Sequence, residues 1–178
     1  FLKLMKKFLI IMMSFFAINT LQSQINTIVF DSIAQKNILI GECNQEGLYS
    51  LPFNEFYTKE YNAYNPSPEI INKIINRDNN YKILIIMASW CGDSQEQVPR
   101  FLKIADIMRF GRDNIRIISV NKEKKAPGFE NFLNEIIVER VPTFIFYSTV
   151  NENLELGRII ETPQETLEMD WLRIIECL

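Results

Sequence analysis

Ile83-Leu84-Ile85-Ile86-Met87-Ala88 runs through Ser89 into Trp90-Cys91-Gly92-Asp93-Ser94, and the reading of this stretch decides the fold. The apolar run is unbroken, as a central strand buried on both faces requires. From Ser94 onward, Val98, Phe101, Leu102, Ala105 and Met108 fall on one side of a long helix that Gly111 ends. Pro99 lies inside that helix and is expected to kink it. Cys91 therefore stands where a strand turns into a helix. Free amide donors and the helix dipole stabilise a thiolate at such a point. A Cys-x-x-Cys pair closes its own disulfide; Cys91-Gly92-Asp93-Ser94 cannot. If Cys91 reacts, it stops at a mixed disulfide, a sulfenic acid or another adduct until a second thiol resolves it.

Outward from this stretch the elements alternate. Upstream, Asn65-Pro66-Ser67-Pro68-Glu69 is a boundary, with Ser67 suited to an N-cap and Pro68 to the first helical position. Ile70, Ile71, Ile74 and Ile75 form the stripe of the helix that follows. Downstream, Ile115 to Val120 reads as a second strand and Pro127 to Ile137 as a crossover helix. Thr143 to Tyr147 reads as a third strand, and Leu154 to Ile160 as its hairpin partner across the turn Val150 to Asn153. Pro163 to Cys177 is a terminal helix with Leu167, Trp171, Leu172 and Ile175 inside. The order is β-α-β-α-β-β-α, an α/β fold with a central mixed sheet. Right-handed crossovers make its first part parallel and its end an antiparallel hairpin.

Residues 25–67 form a smaller N-terminal extension to the domain at 68–178. Ile38-Leu39-Ile40-Gly41 fits a strand or a helix end, and Phe53, Phe56, Tyr57, Tyr61 and Tyr64 fit a small helical cap. Residues 1–24 read as a secretory signal peptide. Lys6-Lys7 precede the apolar run Phe8 to Ala17, and a polar exit follows near Ser23. Met5-Lys6-Lys7 reads as the natural start. The competing reading is an uncleaved anchor, for which the apolar run is short. Its membrane contact would be confined to this segment. The chain is thus expected to be exported, to a periplasmic or other extracytoplasmic compartment where disulfides persist.

Composition narrows the chemistry. The chain has 178 residues, 47% of them hydrophobic, enough for one cored domain. It has no histidine, which removes the commonest general base and metal ligand. With three scattered cysteines, neither a metal site nor another cofactor is implied. The formal net charge is −3, and Lys3, Lys6 and Lys7 are the only charges before Gln24, so the remainder is more acidic still. No nucleic-acid footprint is present. Lys122, Lys124 and Lys125 are mixed with Glu123 and read as a solvated loop.

Over residues 68–178 the chain resembles the thioredoxin-like family, and its exported members above all. Trp90-Cys91-Gly92 sits at the strand-to-helix junction, Pro99 lies eight residues past Cys91, and Val141-Pro142-Thr143 precedes the third strand. The resemblance implies a thioredoxin-like fold with Pro142 cis and facing the cysteine. It departs at two positions. Ser94 stands in place of the resolving cysteine, and Ile85 in place of a buried carboxylate. The implied activity is monothiol thiol-disulfide exchange on exported protein thiols or disulfides, with a small thiol or a second protein for recycling. Cys91 would be the nucleophile and Ser94 would donate a hydrogen bond to it. Trp90, Gly92, Asp93, Val141, Pro142 and Thr143 would bind substrate. Asp93 would either raise the cost of a thiolate or cap the helix. Cys43 and Cys177 are candidate resolving thiols, a pair with each other, or simply buried. The competing reading is a redox-inactive binding module that holds extended peptides in the proline groove.

Overall fold

A computed structural model describes residues 25–151 and 154–176. In chain order it contains β1 (Thr27–Asp31), β2 (Lys36–Cys43), α1 (Gln45–Tyr49), α2 (Asn54–Ala63), α3 (Pro68–Ile75) and β3 (Tyr81–Met87). There follow α4 (Gly92–Ile107), β4 (Ile115–Ser119), α5 (Glu130–Ile136), β5 (Thr143–Ser148), β6 (Glu155–Ile160) and α6 (Leu167–Ile175). The fold is a mixed α/β sheet flanked by helices, with strand order β1-β2-β4-β3-β5-β6.

The sheet grows from β3. Its residues 83–87 are buried, because neighbours pair on both edges and helices or loops cover both faces. β4 joins it in parallel, Ile83 against Ile115 and Met87 against Ser119. Parallel pairing ends there. β5 runs antiparallel to β3, with Thr143 against Ile86, and β6 antiparallel to β5. β5 begins at the same end of the sheet where β4 finishes, so the connection through the seven-residue α5 returns to that end and only the β3-α4-β4 unit is a parallel crossover.

The N-terminal segment is woven into the same sheet. β1 and β2 form a hairpin with Thr27 against Ile40 and Asp31 against Lys36. β2 then pairs antiparallel with β4 through Gly41 to Cys43. The Ile38–Gly41 run is strand. Leu48, Phe53 and Tyr57 enter the core, and α2 is tied to α4 by Arg100 on Glu60 at 2.6 Å.

The two faces of the sheet are packed differently. One carries α2, α3, α4 and α6 over a stack of rings: Phe101 lies 4.4 Å from Phe144 and 4.5 Å from Trp171, centroid to centroid. The Trp171 indole donates to Tyr81 Oη at 2.9 Å. Glu168, also buried, accepts from Tyr64 Oη at 2.5 Å and from the Ser67 amide at 3.0 Å, which pins the start of α3 to α6. Ser67 does occupy the N-cap position of α3, but without a side-chain capping bond. The other face is aliphatic: Ile38, Ile40, Leu84, Ile86, Ile118, Val120 and Ile145, with α5 contributing Leu133. Beyond α5 this face opens into a groove of about 1100 Å³ between Leu84, Arg116, Phe132, Tyr147 and Arg158. No helix of the described residues is long and apolar enough to cross a membrane. The proposed signal segment lies outside the described residues.

Candidate functional site

The chain leaves β3 at Met87 and enters α4 at Gly92, and four residues make the turn. The Cys91 amide donates to Ala88 O at 3.0 Å, and the Gln95 amide donates to Cys91 O at 3.0 Å. Cys91 is the N-cap residue of α4, with extended φ and ψ and no side-chain capping bond. Its side chain is half-buried against the aliphatic face. The thiol donates to the Val141 carbonyl at 3.3 Å, with Asp93 Oδ2 a more distant acceptor at 4.0 Å. Val141–Pro142 is cis, as the resemblance implies. The structure thus brings Cys91 and Val141-Pro142 together from positions 50 residues apart.

The neighbours divide between site and scaffold. Ser94 is fully buried, and its hydroxyl accepts the Ala88 amide at 3.1 Å. It holds the end of β3 and makes no bond to the sulfur, contrary to the expected donation. Asp93 is not a helix cap; its carboxylate faces Cys91. Gly92 is exposed, and a side chain there would meet open space, so the approach to Cys91 from that side is clear. Thr143 is buried with its hydroxyl on Arg140 O at 2.6 Å, and Pro142 O accepts the Glu161 amide at 2.7 Å. These bonds set the rim behind Pro142.

Trp90 is fixed by its indole N–H on Val120 O at 2.9 Å. Lys122 Nζ lies 4.1 Å from the centre of the indole ring, and Lys36 Nζ donates to Trp90 O at 3.4 Å. Lys122 is therefore not only a solvated loop residue; it lies over the ring next to the cysteine. The β1–β2 turn completes this side. Asp31 accepts from the Ala34 and Ile33 amides at 2.7 and 2.8 Å. The Ala34 amide, opposed by partial burial and helped by the Ile33 and Lys122 amides and the Lys122 charge, holds the Asp31 carboxyl below its ordinary value.

Sequence reasoning missed the polar seam that seats the hairpin beside the site. Ser89 Oγ accepts the Leu39 amide at 2.9 Å, and Ser119 Oγ donates to Leu39 O at 2.8 Å. Gln95 Nε2 donates to Ser89 O at 2.7 Å. A serine inside the apolar stretch before Trp90 was the available signal.

The other thiols are not at hand. Cys43 is a free, buried thiol in the aromatic-face core, with the sheet between it and Cys91. Burial, aided by the nearby Glu42 charge, pushes its thiol up to about 12. That placement does not suit a resolving thiol for Cys91. Cys177 lies outside the described residues. Among the described residues no cluster of metal-ligating side chains occurs.

A family model described as thioredoxin matches residues 53–172. This chain belongs to the thioredoxin family. No curated protein matches it. Two solved structures are similar to this chain. An HIV epitope-scaffold is 19% identical, with a TM-score of 0.50 over 70% of this chain and 82% of its own. A protein of unknown function from Pseudomonas aeruginosa is 21% identical, with a TM-score of 0.47 over 69% and 81%. The match to the thioredoxin family begins at residue 53, so the β1–β2 hairpin and α1 lie outside it.

Proposed function

We propose that this protein is an exported monothiol thiol-disulfide exchanger acting through Cys91. The observation that carries the reading is the half-buried Cys91 side chain at the start of α4, its thiol set against the Val141 carbonyl beside the cis Pro142. In the reaction, the Cys91 thiol gives its proton to solvent and its sulfur attacks one sulfur of a partner disulfide. The S–S bond breaks, a Cys91–partner disulfide forms, and the other half leaves as a thiolate that takes up a proton. Cys91 is oxidised and the leaving half is reduced. With Ser94 buried beneath the turn, release falls to an external thiol, which attacks the mixed disulfide and regenerates Cys91. The partners are exported protein thiols or disulfides, the recycling agent is a small thiol, and no bound cofactor takes part.

The test is adduct formation. Incubation of the full chain with hydroxyethyl disulfide is expected to add one half-disulfide at Cys91, located by peptide mass spectrometry and removed by dithiothreitol. Cys91→Ala is expected to abolish it, and no adduct on the wild-type chain at millimolar reagent would sink the proposal. A binding module is the second reading, favoured by one observation: both contacts of the sulfur are acceptors, Val141 O and Asp93. That reading requires a peptide partner to stay bound after Cys91→Ala.

A further inference from the structure

We infer that Lys36 and Lys122 form a cationic rim beside Cys91 that favours partner disulfides flanked by carboxylates. The inference rests on the exchange reading above and names its substrate class. Both ammonium groups converge on Trp90, the residue before the nucleophile: Lys122 from above the indole ring at 4.1 Å, Lys36 onto the Trp90 carbonyl at 3.4 Å. The carbonyl that Lys36 reaches belongs to the peptide unit whose nitrogen is that of Cys91. The indole itself is anchored on Val120 O, so the rim has a fixed base.

The charges around the rim leave these two available. Both lysines are exposed, and neither is in an ion pair among the described residues. The nearby acids are engaged or set apart. Asp31 is held by the Ala34, Ile33 and Lys122 amides and shares some of the Lys122 charge. Glu123 pairs with Lys125 at 3.8 Å, and Glu161 with Arg140 at 2.6 Å. Asp93 is the opposing charge, 4.0 Å from the sulfur on the α4 side. A partner whose cysteine reaches Cys91 thus meets cations across Trp90 and an anion across Asp93. Carboxylates beside its cysteine are attracted on the first side. The whole chain is net negative, so any preference for anions must come from this local rim.

Lys36 opens β2, in the hairpin that precedes the residues matched to the thioredoxin family. The Ser89 and Ser119 bonds to Leu39 hold that hairpin against the site.

Three small disulfides of similar size test the rim on the full chain: 3,3′-dithiodipropionate with two carboxylates, cystamine with two ammoniums, and neutral hydroxyethyl disulfide. Rates of Cys91 adduct formation are read by mass spectrometry at low salt, each divided by the rate of the same disulfide with free N-acetylcysteine amide, because a leaving thiol of lower pKa leaves faster. So normalised, the dianion is expected to react about three- to tenfold faster than the dication, as two exposed charge pairs allow, and the ratio to fall toward one at 1 M salt. Lys36→Gln with Lys122→Gln is expected to bring the ratio near one, and Lys36→Arg with Lys122→Arg to keep it. Lys73→Gln, on α3, is expected to leave it unchanged. Equal normalised rates for the two charged disulfides on the wild-type chain, or a normalised ratio that survives the double glutamine variant, overturns the rim while leaving exchange intact. No adduct with hydroxyethyl disulfide overturns both readings. The salt series needs no variant, so a misfolded double mutant does not protect the inference.

Discussion

The two faces of the sheet are built from the same strands and do opposite things. On one, α2, α3, α4 and α6 cover stacked rings and a buried carboxylate that binds Tyr64 and Ser67. On the other, a seven-residue helix covers a layer whose buried residues are aliphatic, and a groove is left open. Cys91 belongs to the second face, although α4, which it caps, packs on the first. The difference teaches that stability and access are separated across the sheet. The heavily covered side anchors α4, and its N-terminal end emerges at the lightly covered side.

Changes that unbalance the faces are expected to have graded effects. Trp171→Ala removes the centre of the ring stack and should cost about 3–5 kcal/mol in urea unfolding. Glu168→Ala leaves the Ser67 amide and Tyr64 hydroxyl without their charged partner and should cost about 2–3 kcal/mol. Leu133→Ala, on the thin face, should cost about 2 kcal/mol, because the site can relax toward the groove. A Leu133 effect equal to that of Trp171 would erase the contrast. Alkaline pH probes the thick face through Cys43. In the fold its thiol keeps its proton up to about 12, whereas in the unfolded chain it ionises near the reference value of 9.0. Its contribution is therefore complete below pH 9 and is lost as pH rises toward 12. Between pH 9 and 10, wild type should lose about 1 kcal/mol more than Cys43→Ala. Last, Cys91→Ala should change stability by less than about 0.5 kcal/mol while ending adduct formation, which places its importance in chemistry and not in packing.

Much of this arrangement was legible in the sequence, and the remainder was hidden for identifiable reasons. β3, β4 and β5 announce themselves as short apolar runs that both faces of the sheet bury, and α4 and α6 as apolar residues at helical spacing on one side. The Cys91 junction and Val141-Pro142 were legible as local patterns. β1 was not, because an edge strand with Ile28, Val29 and Phe30 all exposed shows no alternation between inside and outside. β2 was readable only as a short run, since its seat depends on Ser89 and Ser119, some 50 and 80 residues away. The antiparallel entry of β5 follows from where β4 ends, which periodicity does not record. Lys36 and Lys122 look like ordinary surface lysines until the hairpin and the β4 loop place both on Trp90. Glu168 likewise meets Ser67 across 101 residues of chain.

Ser94 carries a consequence for anyone wishing to rebuild a two-cysteine centre here. Its hydroxyl accepts the Ala88 amide, one residue past β3, from a position with no solvent contact. Sulfur is larger and a poorer acceptor than oxygen, so Ser94→Cys would gain a thiol and loosen the joint that aims the first one. A working dithiol would need a second change, one that gives the Ala88 amide a new partner. In this architecture the missing cysteine is a keystone of another kind, and replacing it is a problem of carpentry before it is one of redox chemistry.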